Sequence, residues 1–290
     1  MTLEELLGYG ERLQIADIGA AAIAEKPVYK PLLDRDLARL NAFDADERHH
    51  DGIRQAFGDR VSLFPDIVGD GEAATLHLAS PASGMSSLLA PSAANLGFFN
   101  GFTAFGTVLE TVPVETHRLD DIAGLPPLDF LKMDIQGSEY AALESGPRVL
   151  GGCVAIHLEV SFVPLYQGQA TFGDIDVWMR RHGYLPHAFT EIKRWSVNPV
   201  VRTGQYRRGY NQLLEADIVY FRDVTTDDGL DDTQLKKLAL IAHYCYRSPD
   251  IAGRIVLALS ARRAIRYDAL AHYLAIWHDE SGEEVGLYHG

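Results

Sequence analysis

Short apolar runs bounded by turn residues set the rhythm of the first two thirds of this chain. Residues 13–18 (Leu-Gln-Ile-Ala-Asp-Ile), 37–43, 61–68, 128–133, 154–162 and 218–221 have the length and content of buried strands. Residues 74–79, where Leu76 and Leu78 alternate against His77, and residues 111–116 add two more. Helices are predicted over residues 28–33, with Pro31 near the start, and over 138–144 and 174–182. Strands alternating with helices predict an α/β fold, a mostly parallel sheet with helices on both faces. From residue 190 to 215 the pattern dissolves into a polar, basic stretch, and the strand at 218–221 closes the core.

Beyond that strand the period changes. Leu235, Leu238 and Ile241 recur at helical spacing, as do Ile251, Ile255 and Leu259. Ser248-Pro249 reads as a helix start, with serine as N-cap and proline in the first turn. Residues 229–278 are therefore expected to form two or three helices. The expected division is a catalytic domain over 1–228 and a C-terminal helical extension over 229–290, with no internal repeat and no low-complexity tract.

Charge narrows the partners. A net charge of -14 over 290 residues argues against a nucleic-acid backbone, which needs a basic footprint. Cys153 and Cys245 lie far apart and suit reduced thiols better than a disulfide framework. Residues 1–7 carry Glu4 and Glu5 where a secretory signal would be basic, and the apolar run 251–259 is too short to span a bilayer. The expectation is a cytoplasmic protein with no membrane span.

Polar groups at strand ends carry the candidate chemistry, because open α/β sheets bind ligands at the carboxyl ends of their strands. Asp17-Ile18-Gly19-Ala20 places an acid in the first strand and a glycine at its exit. Ala20, Ala21 and Ala22 stand where a G-x-G-x-x-G would need more glycine, which counts against a dinucleotide. Asp44 ends the second strand, where a carboxylate accepts ribose hydroxyls, and Asp66, within the third strand region, reads as an adenine contact or a surface residue beside Pro65. The densest phrase is Asp129-Phe130-Leu131-Lys132-Met133-Asp134-Ile135-Gln136-Gly137-Ser138-Glu139-Tyr140: a strand ending in an acid, a glycine turn, then a helix.

In order and content these pieces resemble the FkbM-type methyltransferases. The matching phrases are Asp17-Ile18-Gly19, Phe43-Asp44-Ala45, Val68-Gly69-Asp70-Gly71, Ser86-Ser87-Leu88, Leu119-Asp120-Asp121, and the run 131–139. Ile156-His157-Leu158-Glu159-Val160 and Tyr166-Gln167-Gly168 continue the pattern, so the resemblance covers about residues 11–222. Asp44 replaces a glutamate, Ala45 a proline, and Gln136 a glutamate that often precedes the glycine; the last change weakens any acidic metal cluster. The resemblance implies a class I (Rossmann-like) methyltransferase fold binding S-adenosylmethionine (SAM) across the ends of the first two strands. It implies O-methylation of a hydroxyl on a sugar, glycolipid or natural product.

Cofactor contacts are thus expected from Asp17, Gly19, Ala20, Asp44, Asp66 and Asp134, and catalytic roles from Asp134, His157 and Glu159. Asp134 either binds the SAM amino group or acts on the acceptor. His157 and Glu159, two apart and so on one face, serve as base or orienter, unless His157 is a satisfied core histidine. No tight metal-ligand motif is visible, and none is expected. Lys132 reads as a structural ion-pair partner as readily as a site residue. Two segments stand apart: residues 80–106, uncharged and holding Phe98, Phe99, Phe102 and Phe105, and a basic cluster of Lys193, Arg194, Arg202, Arg207 and Arg208. The first packs on the core or on a ligand; the second is a solvated face or an anion reader. The helical extension is a candidate surface for a homo-oligomer. The competing readings are a catalytically silent SAM-fold binding or assembly protein and a dinucleotide-dependent oxidoreductase.

Overall fold

The computed structural model describes residues 1–20, 27–45, 47–226 and 229–287; Ala21, Ala22 and residue 228 lie outside the described residues. Its strands are β1 (Leu13–Ile18), β2 (Ala38–Phe43), β3 (Val61–Phe64), β4 (Ala73–Leu78), β5 (Glu110–Glu115), β6 (Phe130–Met133), β7 (Ala155–Ser161), β8 (Tyr184–Arg194) and β9 (Leu213–Arg222). Seven of them form one sheet in the order β3-β2-β1-β6-β7-β9-β8. The pairs β3–β2, β2–β1, β1–β6 and β6–β7 are parallel, and β9 runs antiparallel to both β7 and β8. The chain leaves β1 to one side for β2 and later returns to its other side with β6. That reversal opens a crevice at the carboxyl ends of β1 and β6, where sheets of this kind bind ligands.

Burial explains why the central strands were legible. Every residue of β7 is buried, as expected of an interior strand whose sheet is covered on both faces. One face packs under α1 (Leu3–Leu7), α2 (Lys30–Asp34), α3 (Glu47–Phe57), α8 (Asp232–Tyr244), α9 (Pro249–Ala261) and α10 (Ala269–Ser281). The other packs under α6 (Glu139–Ser145) and α7 (Phe172–Arg181). The last three helices are thus the layer that completes the core over Leu13, Ile15, Leu40 and Phe130. The expected boundary after residue 228 falls between β9 and α8, but the segments on either side of it share one hydrophobic core.

Several expectations are corrected. The third strand stops at Phe64, because Pro65 has no N–H for the ladder. β4 and β5 pair with each other in a separate antiparallel sheet. The polar stretch after residue 190 hides the end of β8, an 11-residue strand whose alternation is broken by Pro186 and three register shifts against β9. The segment 80–106 contains α4 (Ala93–Phe98) and α5 (Phe102–Phe105), and Phe99 and Phe102 are buried in a small cluster with Leu96, Met85 and Tyr166. Ser248 does stand at the N-cap of α9, with Pro249 in the first turn, yet its hydroxyl bonds His187 Nε2 at 2.7 Å instead of capping.

Candidate active site

Gly19 leaves β1 with φ of +90°, and a Cβ there would lie 2.1 Å from the carbonyl oxygen of Asp134. The Asp134 amide in turn donates to the Ile18 carbonyl at 3.0 Å. The exits of β1 and β6 are therefore pressed together, and only glycine fits that turn. Ala20 is buried beside it.

Directly opposed residues of paired strands point to the same face. Asp17, Lys132 and His157 form one such row across β1, β6 and β7. Asp17 is buried, and both its carboxylate oxygens are engaged: the Tyr29 hydroxyl donates to Oδ2 at 2.6 Å and Lys132 Nζ to Oδ1 at 3.4 Å. Burial works against the Lys132 ammonium, yet Asp17 and Asp134 outweigh it and raise its pKa. His157 sits between the Tyr246 hydroxyl, 3.1 Å from Nδ1, and Thr190 Oγ1, 3.3 Å from Nε2. Burial, helped by Lys132, lowers its pKa to about 4, so the ring is neutral at pH 7. Of the two readings of His157, this geometry favours the satisfied core histidine.

One step further along the strands lies a row of acids. Glu159 of β7 opposes Asp217 of β9, which opposes Glu191 of β8. Asp134 follows Met133, the last residue of β6, which pairs with Leu158. A single amide joins two neighbours in this row: Gln136 Nε2 donates to Asp134 Oδ1 at 2.8 Å and to Glu159 Oε2 at 3.2 Å. The Tyr166 hydroxyl donates to Gln136 Oε1 at 3.2 Å, fixing which end of the amide faces the acids. Gln136 has φ of +52°, uncommon for a non-glycine residue. Glu139 holds that turn, its buried carboxylate accepting from the amides of Ile135 at 3.0 Å and Gly137 at 3.0 Å. Burial pushes the Glu139 carboxyl up to about 7 against those donors.

Lys193 reaches the same acids from β8, 3.1 Å from Glu159 Oε1 and 2.8 Å from Glu215 Oε1. Burial disfavours its charge, but the two glutamates prevail and raise its pKa. Burial, with Glu215 and Asp134 nearby, pushes the Glu159 carboxyl well above its usual range. Asp217 is half-buried, and its carboxyl makes no side-chain hydrogen bond among the described residues. Burial raises it to about 6. Sequence reading missed Gln136, Tyr166 and Asp217 as parts of this site, and took Lys193 only as one of a basic cluster, a solvated face or an anion reader. Only the placement of Gln136 and Tyr166 in quoted phrases could have flagged them, since β8 and β9 enter through register.

Asp44 and Asp66 lie at the neighbouring strand ends. Asp44 is buried, with His49 Nδ1 at 2.8 Å from Oδ2 and its amide donating to Phe64 at 3.1 Å. Asp66 pairs with His117 Nδ1 at 3.1 Å. Among the described residues no group of three or more His, Cys, Asp or Glu side chains is arranged to hold a metal ion. No helix of the described residues is long and apolar enough to cross a membrane.

The sequence profile of the Methyltransferase FkbM domain matches residues 26–186, more than half of the chain. The chain belongs to the FkbM methyltransferase family. With the sheet order above, membership gives the chain a class I methyltransferase fold and weighs against the oxidoreductase reading. The matched span holds Asp44, Asp66, Asp134, His157 and Glu159; Asp17, Gly19, Ala20 and Asp217 lie outside it. Within the span of this FkbM protein, 61 residues are 41% identical to the 2-O-methyltransferase NoeI of Sinorhizobium fredii, or 20% of this chain and 25% of that enzyme. The chain thus matches about a quarter of that relative's length. Among solved structures, the precorrin-6y C5,15-methyltransferase of Geobacter metallireducens overlays at 14% identity and a TM-score of 0.34, covering 76% of this chain and 85% of that one. An uncharacterized Listeria monocytogenes protein overlays at 12% identity and a TM-score of 0.36, covering 96% of both chains. Overlaps this loose add nothing to the assignment of individual residues.

Proposed function

We propose that this FkbM protein transfers the methyl group of SAM to a hydroxyl of a sugar, glycolipid or related natural product. The observation that carries the reading is the acid row that starts with Asp134 at the crevice between β1 and β6 and continues across β7 and β9, with Gln136 bridging Asp134 to Glu159. SAM is a cation with a ribose diol, and its chemistry suits these residues. Asp44 at the end of β2 would take the ribose hydroxyls, the tight turn at Gly19 and Ala20 would lie along the methionine portion, and Asp134 would meet the amino group. Asp66 stands where an adenine contact would come from. When bound, SAM supplies an electrophilic methyl group.

The residues of the chain would then do the rest. An alkyl hydroxyl is a weak nucleophile, so alignment against the methyl group and removal of its proton both matter. Asp217, half-buried, without a side-chain hydrogen bond among the described residues and raised to about 6 by burial, is ionised at neutral pH and suited to take that proton. Asp134 and Glu159, tied by Gln136, would orient the acceptor hydroxyl. Asp17, saturated by Tyr29 and Lys132, would act as a positioning residue beneath the cofactor turn, and His157 as a positioning residue beneath Lys132. The 2-O-methyltransferase name of the matched relative supports a hydroxyl acceptor. The test is incubation with SAM and a panel of hydroxylated sugars and glycolipids, measuring S-adenosylhomocysteine release. Acceptor-dependent release with an O-methyl product supports the reading; transfer to nitrogen or carbon acceptors alone would sink it.

A further inference from the structure

The two segments that stood apart in the sequence meet in the fold. Residues 79–109 contain no charged side chain, and between Glu191 and Glu215 the only charged residues are Lys193 and four arginines. They pack into one cap. The Asn100 amide donates to Ser196 at 3.0 Å, the Asn198 amide to Phe98 at 2.8 Å, and Trp195 Nε1 to Asn100 at 2.8 Å. Since β8 ends and β9 begins beside Ser161, the last residue of β7, the cap sits at the carboxyl end of the sheet, over the acid row.

Its charges are unbalanced. Lys193 turns inward to Glu159 and Glu215, whereas Arg194, Arg202, Arg207 and Arg208 have no carboxylate partner among the described residues. Arg202 lies over the Tyr210 ring at 4.1 Å and Arg207 over Phe105 at 5.2 Å, so aromatic faces hold both guanidiniums. Around them Phe98, Val200, Val201, Tyr206 and Tyr210 are exposed, Val200 by 62% and Tyr210 by 53%. The cap does not need them for its own core, which Phe99, Phe102, Leu96 and Met85 supply. A cationic, apolar surface on a chain of net charge -14 is complementary to something anionic and amphiphilic.

We propose that this cap docks on a membrane surface containing anionic phospholipid. The guanidiniums meet headgroup phosphates, for which their forked donors are suited, and the exposed apolar side chains enter the interfacial layer. The acidic remainder of the protein is repelled by the same surface, which turns the cap toward it. A free phosphate would explain the arginines but not Phe98, Val200 and Val201, so the bilayer is the occupant the surface favours.

Sedimentation of the intact protein with vesicles tests this without turnover, and so independently of the acceptor. Vesicles of equal parts phosphatidylglycerol and phosphatidylcholine should bind it at least ~10-fold more tightly than phosphatidylcholine alone, and added salt should weaken the binding. The triple variant Arg202→Gln, Arg207→Gln, Arg208→Gln should lose about 10-fold or more, and Val200→Ser with Val201→Ser should lose several-fold at unchanged charge. Melting curves of each variant check that it is folded, and the salt response of the unaltered protein stands if one is not. Equal binding to both vesicle types, or binding untouched in both folded variants, would overturn the proposal. So would stronger competition by inorganic phosphate than by chloride at equal ionic strength, which would mark a site for a free anion.

Discussion

Gly19 leaves no room for a side chain against Asp134: a Cβ at the first would stand 2.1 Å from the carbonyl oxygen of the second. The turn that ends β1 and the turn that ends β6 are thereby one structural unit. Gly19→Ala combines a clash with an unfavourable φ of +90°. It should cost about 2 kcal/mol or more of stability and weaken SAM binding at least ~10-fold. Urea unfolding with calorimetric titration checks both; a variant with unchanged stability and affinity would show that the two turns separate freely.

Gln136 holds Asp134 and Glu159 at a fixed spacing through one amide. Gln136→Leu removes both of these bonds and leaves the Tyr166 hydroxyl only the Met85 carbonyl, at 3.3 Å, as acceptor. Turnover should fall by ~10-fold or more, equivalent to about 1.4 kcal/mol of barrier, with a smaller change in SAM affinity. Full turnover in this variant would remove the bridge from the site.

Asp217 should set the acidic limb of the pH profile. A base works ionised, and burial raises this carboxyl to about 6, so turnover should climb with pH through about 6 and then level. Asp217→Asn should lower turnover by about 100-fold or more and abolish that limb. A limb of the same midpoint in the variant would assign it to another group, with Glu159 the next to test.

His157 links folding to pH in a definite direction. Its folded pKa is lowered from 6.5 to about 4 by burial and Lys132, so the unfolded chain takes up a proton first as pH falls. The stabilising contribution is present in full above pH 6.5 and is lost between there and about 4. It amounts to on the order of 3 kcal/mol. Urea titrations at pH 7 and pH 4.5 of the native protein and of His157→Gln should show a smaller acid loss in the variant; identical acid losses would dissociate the residue from the effect.

Much of the fold was legible because β1, β6 and β7 are buried on both faces and read as apolar runs between turns. β8 was not: Pro186, three register shifts and a run of exposed residues from Phe189 to Ile192 erase its alternation. The helices after residue 228 were visible by period, but period says which face is apolar and not what it covers, so their place in the main core was hidden. The site divided the same way. Asp134 and Gly19 could be read at strand ends, whereas Lys193 meets Glu159 across a sequence separation of 34 residues, through a register no local pattern encodes. Asp217 was passed over because the expected strand began only at Ile218, whereas β9 starts at Leu213 and sets Asp217 opposite Glu159.

Placement of the cofactor across β1 and β2 is tested most directly by calorimetric titration of SAM into the native protein and into Asp44→Ala. Saturable binding by the native protein, weakened at least ~10-fold in a folded Asp44→Ala variant, is the expected result, since the buried carboxylate that would accept the two ribose hydroxyls is lost. Equal affinity in the two proteins would contradict this placement of the cofactor.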